Sequence, residues 1–447
     1  MKKKLDTPLL VGFARVDITP SESLPMGGYI ARTQPATGAH DPLYAKAIAF
    51  RYGDTAALLL VLDTLCVSSA WVRDLRGVIN SKIGLPPENI MAAATHTHSG
   101  PAVLLPVTSD NAILRHEASL LSLCVDAAEQ AYAAAEPSRV RLSRIAVENI
   151  SANRRHSVSQ FLVPMSVVRV EDLSENVKGH FVSFACHPTV MPAENLEYSA
   201  DFFGAAAREV EATFPESMCA IFNGAAGDMS TRHTRRSQTW PELNRLGKEL
   251  AKQIARASEA SAPAKPGPVK ARFVTMSVPF RKIPSLEEAQ KEFEAAQDAD
   301  DELLQRTLEK KDRDPLLLLK SLAEGRAAKF MLSKLGGWEP IFGMTSADVE
   351  LSVIRIGDLI VCGLPCEFFE ERGTELADAA LSKFGFVVGY ANGYWGYVAP
   401  PSEAALGGYE AIMSPLPPEY EPQIIREAKM LVREIKKASS SKKNPGK

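Results

Sequence analysis

Two of the chain's eight histidines stand two positions apart in Thr95-His96-Thr97-His98-Ser99-Gly100-Pro101, directly after the apolar run Ile90-Met91-Ala92-Ala93-Ala94. On an extended backbone, side chains at i and i+2 leave from one face, so His96 and His98 are expected to serve one site. Neutral imidazole is the commonest protein ligand for zinc and its neighbours, and strand ends are a usual seat of α/β active sites. A solvated or hydrogen-bonded pair in a loop would give the same spacing, so a metal site needs further donors. His187 supplies one, at the end of Phe181-Val182-Ser183-Phe184-Ala185-Cys186. Glu367, in Gly363-Leu364-Pro365-Cys366-Glu367-Phe368, puts a carboxylate after another apolar segment, and Tyr397 closes Ala391-Asn392-Gly393-Tyr394-Trp395-Gly396-Tyr397. Each has an ordinary alternative: Glu367 as a helix cap, Tyr397 as a half-buried packing residue. His40 sits in a polar turn, His116 and His180 lie on solvated-looking stretches, and His156 and His233 follow arginines.

The elements that would carry these residues alternate along the chain. Ala56–Leu62 is a continuous apolar run, as a buried strand would be, and ends in Asp63-Thr64. Residues 70–82 carry apolar groups at helical spacing, and a long helix is expected from Leu114 to Ala135. Phe181–Cys186 and Ala220–Phe222 are further strands, the latter running into Asn223-Gly224-Ala225-Ala226-Gly227-Asp228. Strand, polar turn and helix in repetition indicate an α/β fold. A Pro-rich connection occupies 260–268, and residues 285–335, dense in Glu, Lys, Ala and Leu, read as a helical insertion broken near Asp314-Pro315. Strands return at 349–362 and 386–390. Residues 8–435 are expected to form a single domain and 436–447 a disordered tail. No internal repeat is evident.

Composition narrows the function classes. The chain has 447 residues, 45% of them hydrophobic, and a formal charge of −3, so nothing favours nucleic acid as a partner. Six cysteines lack CxxC spacing, which suits a reducing compartment. The apolar stretch after Lys2-Lys3-Lys4 is only Pro8–Val11, too short for a signal h-region or a membrane span, so a cytoplasmic protein is expected.

With Asn153-Arg154, Gly227-Asp228-Met229-Ser230, Val16-Asp17-Ile18-Thr19-Pro20 and Met26-Gly27-Gly28-Tyr29, these segments occur in the order and spacing of the neutral/alkaline ceramidase family. The chain resembles the catalytic domain of those zinc amidases over roughly residues 10–430, outside the helical insertion. The resemblance implies mixed β-sheets flanked by helices, and as a departure from the secreted members no C-terminal immunoglobulin-like domain is expected. It makes His96, His187, Glu367 and Tyr397 the ligands of Zn²⁺, and His98 and Arg154 the groups that stabilise an oxyanion. Ser230 matches the family's active-site serine. Positioning or oxyanion support is its expected role, since no general base is near it in sequence and a metal-activated water makes a serine nucleophile unnecessary. Asp228 is expected to orient a histidine.

The implied activity is hydrolysis of the amide of an N-acylated substrate, small or lipid-like, with ceramide as the default. Thr231-Arg232 stands where ceramidases carry Pro-Asn, and Arg155-His156 where they carry Ser-Pro, so the acyl or head group is open to difference. Hydrolysis of a carboxylic ester or lactone would use the same groups, and a non-catalytic binding protein on this scaffold is the reading from another class. The amidohydrolase superfamily also uses an HxH at a strand end, but it needs two later histidines, and only His233 follows His187.

Overall fold

The computed structural model describes residues 7–105, 110–156, 162–295, 315–380 and 384–437. Within them the chain lays down one order three times: three antiparallel strands, a helix, a strand parallel to the third, and a second helix. In the first unit the strands are Leu9–Asp17, Tyr44–Tyr52, Thr55–Leu62 and Ile90–Ala94, with helices Ser69–Ile83 and Asn111–Ala133. The second has Glu136–Glu148, Leu162–Asp172, Val177–Phe184 and Met218–Asn223, with helices Asp201–Thr213 and Trp240–Glu259. The third has Val269–Pro279, Ser346–Ile356, Leu359–Gly363 and Phe384–Val388, with helices Glu370–Ala379 and Glu421–Lys437. The repeat is one of topology, which is why residue comparison misses it.

Short pairing of Leu10 and Val11 with Pro137 and Glu136 fuses the first two units into one mixed sheet. The third unit's sheet packs face to face on it. Residues along Tyr44–Tyr52 show the layering: Ala45, Ala47 and Ala49 lie under the helices, while Ile48 and Phe50 face the second sheet. Small residues let the helices approach closely, and the alternation is the strand period of two. Leu58, Leu60 and Leu62 likewise belong to the helical side and Leu59 and Val61 to the inter-sheet side. A strand buried on both faces must be apolar throughout, which accounts for the run that marks it in the sequence. Helices Glu370–Ala379 and Glu421–Lys437 cover the other face of the smaller sheet.

Local signals set the helix bounds. Ser68 caps Ser69–Ile83 by accepting from Trp71 N–H, and Gly84, at φ 70°, ends it with a bond to Asn80 O. The Asp110 carboxylate accepts from Ala112 and Ile113 N–H, so the next helix starts at Asn111, earlier than its apolar periodicity suggests. The expected strand over 349–362 is two strands joined by a turn at Gly357-Asp358. Of the helical insertion, Leu286–Glu294 and Pro315–Lys334 are helices, whereas 296–314, with Asp314, fall outside the described residues. The last helix reaches Lys437, past the expected start of the tail, and 438–447 are outside the described residues.

This topology decides where chemistry can occur. In each unit the first, third and fourth strands point the same way, so the loops after them all leave from one edge of their sheet. In the third unit the loop after the first strand is the helical insertion.

Candidate metal centre

His96 departs from the expected extended pair. The strand ends at Ala94, level with the end of its partner at Leu62, and His96 then takes φ 66°. A non-glycine residue in the left-handed region costs of order 1–3 kcal/mol. Here His96 Nδ1 bonds Leu65 O at 2.7 Å, its N–H donates to Thr64 O, and its ring stacks on Tyr390 with centroids 4.1 Å apart. The turn still brings the two imidazoles together, with His98 Nε2 3.3 Å from His96 Nε2.

The loops after three other strands complete the cluster. His187 follows Val177–Phe184, and its Nδ1 lies 2.8 Å from Ala226 O and 3.0 Å from Met229 O. Glu367 follows Leu359–Gly363 and Tyr397 lies beyond Phe384–Val388, their short strands pairing in register. Glu367 Oε2 is 3.0 Å from His187 Nε2 and 3.5 Å from His96 Nε2, and Tyr397 OH is 3.2 Å from His187 Nε2. All four residues are buried.

The chemistry of this donor set calls for a cation. A carbonyl oxygen only accepts, so Nδ1 of both His96 and His187 carries the proton and each Nε2 presents a lone pair. Those lone pairs face a carboxylate. Burial lowers His96 to about 4 and His98 well below the ordinary imidazole range, so the rings stay neutral. Ligands at about 2.0–2.2 Å in a tetrahedral set stand roughly 3.3–3.6 Å apart, close to the separations here. His96, His98 and His187 also group as a potential metal-holding triad. The residues present therefore fit zinc.

Around the cluster, Arg154 Nη2 donates to Tyr397 OH and Gly227 O, each at 2.9 Å. Ser230 lies on the short strand Met229–Ser230, which pairs with Ala152–Asn153 and bridges to His187. Its Oγ accepts from Arg232 N–H. The Asp228 carboxylate binds Asn153 Nδ2 and Glu370 N–H rather than a histidine, while its carbonyl accepts from Arg154 N–H. Histidine orientation falls to backbone carbonyls, and Asp228 instead ties down the segment that carries Arg154.

Burial pushes the Asp228 carboxyl up to about 7, despite the bond it accepts from Glu370 N–H. Its folded value lies above the ordinary 3.8, so between the two the native protein holds a proton that the unfolded chain has released. That contribution is present at low pH and lost as pH rises through about 7. Asp228→Asn lacks this titration but must turn an N–H toward Asn153 Nδ2 or Glu370 N–H, so it is expected to melt below wild type at pH 4, with the gap narrowing as pH rises from about 4 to about 8. Thermal melts in which the gap widens over that range would contradict the sign.

Several neighbours carry no sequence signal of their own. Tyr390 and Tyr394 direct their hydroxyls to the Glu367 carboxylate, at 3.5 and 2.5 Å. Glu410 is buried against Arg154 and Arg155. Gly28, at φ 97°, lets the chain pass so close to His98 that a Cβ there would lie 2.5 Å from its Cγ and Nδ1. Three other histidines have partners of their own. His180, expected in solvent, is fully buried and bonded to Ser258 Oγ, His40 stacks on Trp240, and His156 pairs with Glu403.

The family described as "Neutral/alkaline non-lysosomal ceramidase, N-terminal" matches residues 9–238, just over half of the chain. The neutral ceramidase of Pseudomonas aeruginosa is 25% identical over 91% of this chain and 69% of its own length. That of Mycobacterium tuberculosis is 29% identical over 50% of this chain and 40% of its own. The crystal structure of the Pseudomonas aeruginosa enzyme superposes with a TM-score of 0.76 at 20% identity, covering 97% of this chain and 75% of that one. A structure described as a ceramidase complexed with C2 gives 0.74 at 20% identity, covering 97% and 76%. These superpositions establish the shared fold. Among the described residues no helix is long and apolar enough to cross a membrane.

Proposed function

The chain belongs to the neutral/alkaline non-lysosomal ceramidase family, and on that footing we propose that it hydrolyses the amide of an N-acylated substrate, ceramide or a ceramide-like lipid, at a zinc centre held by His96, His187, Glu367 and Tyr397. The observation that carries this reading is the convergence of lone-pair atoms from all three units on one buried point. Zinc bound there would polarise the scissile carbonyl and lower the pKa of a water to about 7. The chain's own residues do the rest. Arg154 turns its guanidinium to the edge of the cluster and offers donors for the carbonyl oxygen as charge develops on it. His98 Nε2 faces the cluster while its Nδ1 is buried without a partner, so a proton on Nε2 makes it a second donor. Each such donor is worth about 3–4 kcal/mol in the transition state. Ser230, bridged to His187, positions substrate. Residues 8–435 act in this reading as one catalytic domain, and six buried free thiols suit a cytoplasmic setting.

Purified protein is expected to carry near-stoichiometric zinc and to cleave N-acyl sphingoid or N-acyl amine substrates, with activity lost on chelation and restored by zinc. Absence of zinc together with absence of amide cleavage, or much faster cleavage of matched esters, would overturn the reading. Gly28→Ala tests the placement of His98. It is expected to cut turnover by about tenfold or more, because small misplacements of catalytic groups are costly, while the bound metal remains. Zinc analysis beside kinetics separates the two effects.

A further inference from the structure

The reaction above leaves one buried acid beside the site unused. Glu410 lies on the short helix Tyr409–Ile412, its carboxylate between two arginines. Oε1 is 2.7 Å from Arg154 Nε, off the line of the N–H, so the contact is an ion pair more than a directed hydrogen bond. Oε2 accepts from Arg155 Nη1 at 2.7 Å. Arg155 is itself fixed: Nε donates to the Glu403 carboxylate, and Nη2 to the carbonyls of Glu403 and Gly407.

A guanidinium has five N–H donors in one plane. For Arg154, Nη2 is spent on Tyr397 OH and Gly227 O, Nε faces Glu410, and Nη1 is left for substrate. Two directed bonds hold the Nη2 end, and the Glu410 charge, 2.7 Å from Nε, anchors the other side of the guanidinium, so where Nη1 points depends on both. The helix carrying Glu410 is held in turn. The Tyr409 ring sits edge-on to Tyr397, and Gly408 touches Gly325 of the helical insertion so closely that a Cβ on Gly325 would lie 2.8 Å from Gly408 C.

We infer that Glu410, steadied by Arg155, is a positioning residue that anchors the Arg154 guanidinium for amide hydrolysis. The inference rests on the reaction proposed above. Arg155 is one of the two residues at which this sequence departs from the family pattern after Asn153-Arg154, and here it holds Glu410.

The test uses Glu410→Asp, which keeps the charge and shortens its reach, Glu410→Gln, and Arg154→Lys alone and combined with each. Expected for the zinc-loaded Glu410 variants is a fall in kcat of about 30-fold or more with KM within about twofold of wild type, as for a misaligned catalytic group. In the Arg154→Lys background the same changes should cost less than about twofold, because their target is gone. Losses that multiply in the double variants, or a kcat within about twofold of wild type in folded Glu410→Asp, would overturn it. If Glu410→Gln does not fold, Glu410→Asp decides alone. A readout independent of turnover comes from side-chain ¹⁵N spectra, with Arg154 assigned by its loss in Arg154→Lys. The Arg154 guanidinium protons should exchange slowly in wild type and fast in Glu410→Asp, and unchanged exchange refutes the positioning role even if wild type cleaves no amide. Inactive wild type with the expected exchange change refutes the reaction instead.

Discussion

Replacing His187 with alanine is expected to leave a folded protein that holds no tightly bound zinc and turns over at least about a thousandfold more slowly. A metal ion stabilises developing charge by several kcal/mol, and about 4 kcal/mol is roughly a factor of 10³ in rate. The fold should survive because no backbone group is orphaned, the Glu367 carboxylate keeps the Tyr390 and Tyr394 hydroxyls, and Tyr397 OH keeps Arg154. The two carbonyls that accept from His187 Nδ1 keep backbone partners: Ala226 O accepts from Met229 N–H, and Met229 O accepts from His187 N–H. Metal analysis, thermal melting and hydrolysis rates on one preparation check all three statements. Retention of zinc in His187→Ala would remove this residue from the ligand set. His180→Ala is the matched control, a buried histidine far from the cluster whose loss should lower stability and spare the zinc.

Arg154→Ala should behave in the opposite sense, keeping zinc and losing both stability and turnover. It leaves Glu410 buried with Arg155 as its remaining arginine. Breaking a buried ion pair from one side typically costs about 3–5 kcal/mol. Loss of one oxyanion donor costs about 10²–10³ in kcat. Adding Glu410→Ala should recover part of the melting temperature, since the carboxylate is no longer stranded, and none of the rate. A double variant that regains turnover would show that Arg154 acts through folding alone.

How much of this was legible in the sequence varies with the physics of each residue. Ala56–Leu62 was plain because both its faces are packed, so every position is apolar. His96 and His98 stood out because histidines are few and these precede a Gly-Pro turn. The left-handed φ of His96 was not legible, since only glycine advertises that conformation. Tyr390, Tyr394 and Glu410 act through contacts with residues distant in sequence, and nothing in their neighbours announces the partner. His180 looked solvated beside Lys178 and Gly179, yet it is buried by a helix residue, Ser258, that local pattern cannot supply. The threefold order stayed hidden because each unit fills the same topology with different side chains and different loop lengths.

That order has a bearing on how faults at a distance are felt. His96 and His187 hang from one sheet, while Glu367 and Tyr397 hang from the other, so the donor spacing is a vernier reading of how the two sheets are aligned. Their interlock is aromatic: Phe181 and Phe222 from the larger sheet meet Phe386 from the smaller, with centroids 5.3 and 5.8 Å apart. A productive constellation tolerates only about 0.5 Å of error. A change in those rings that slides one sheet slightly across the other would spoil the coincidence of donors long before the molecule melts.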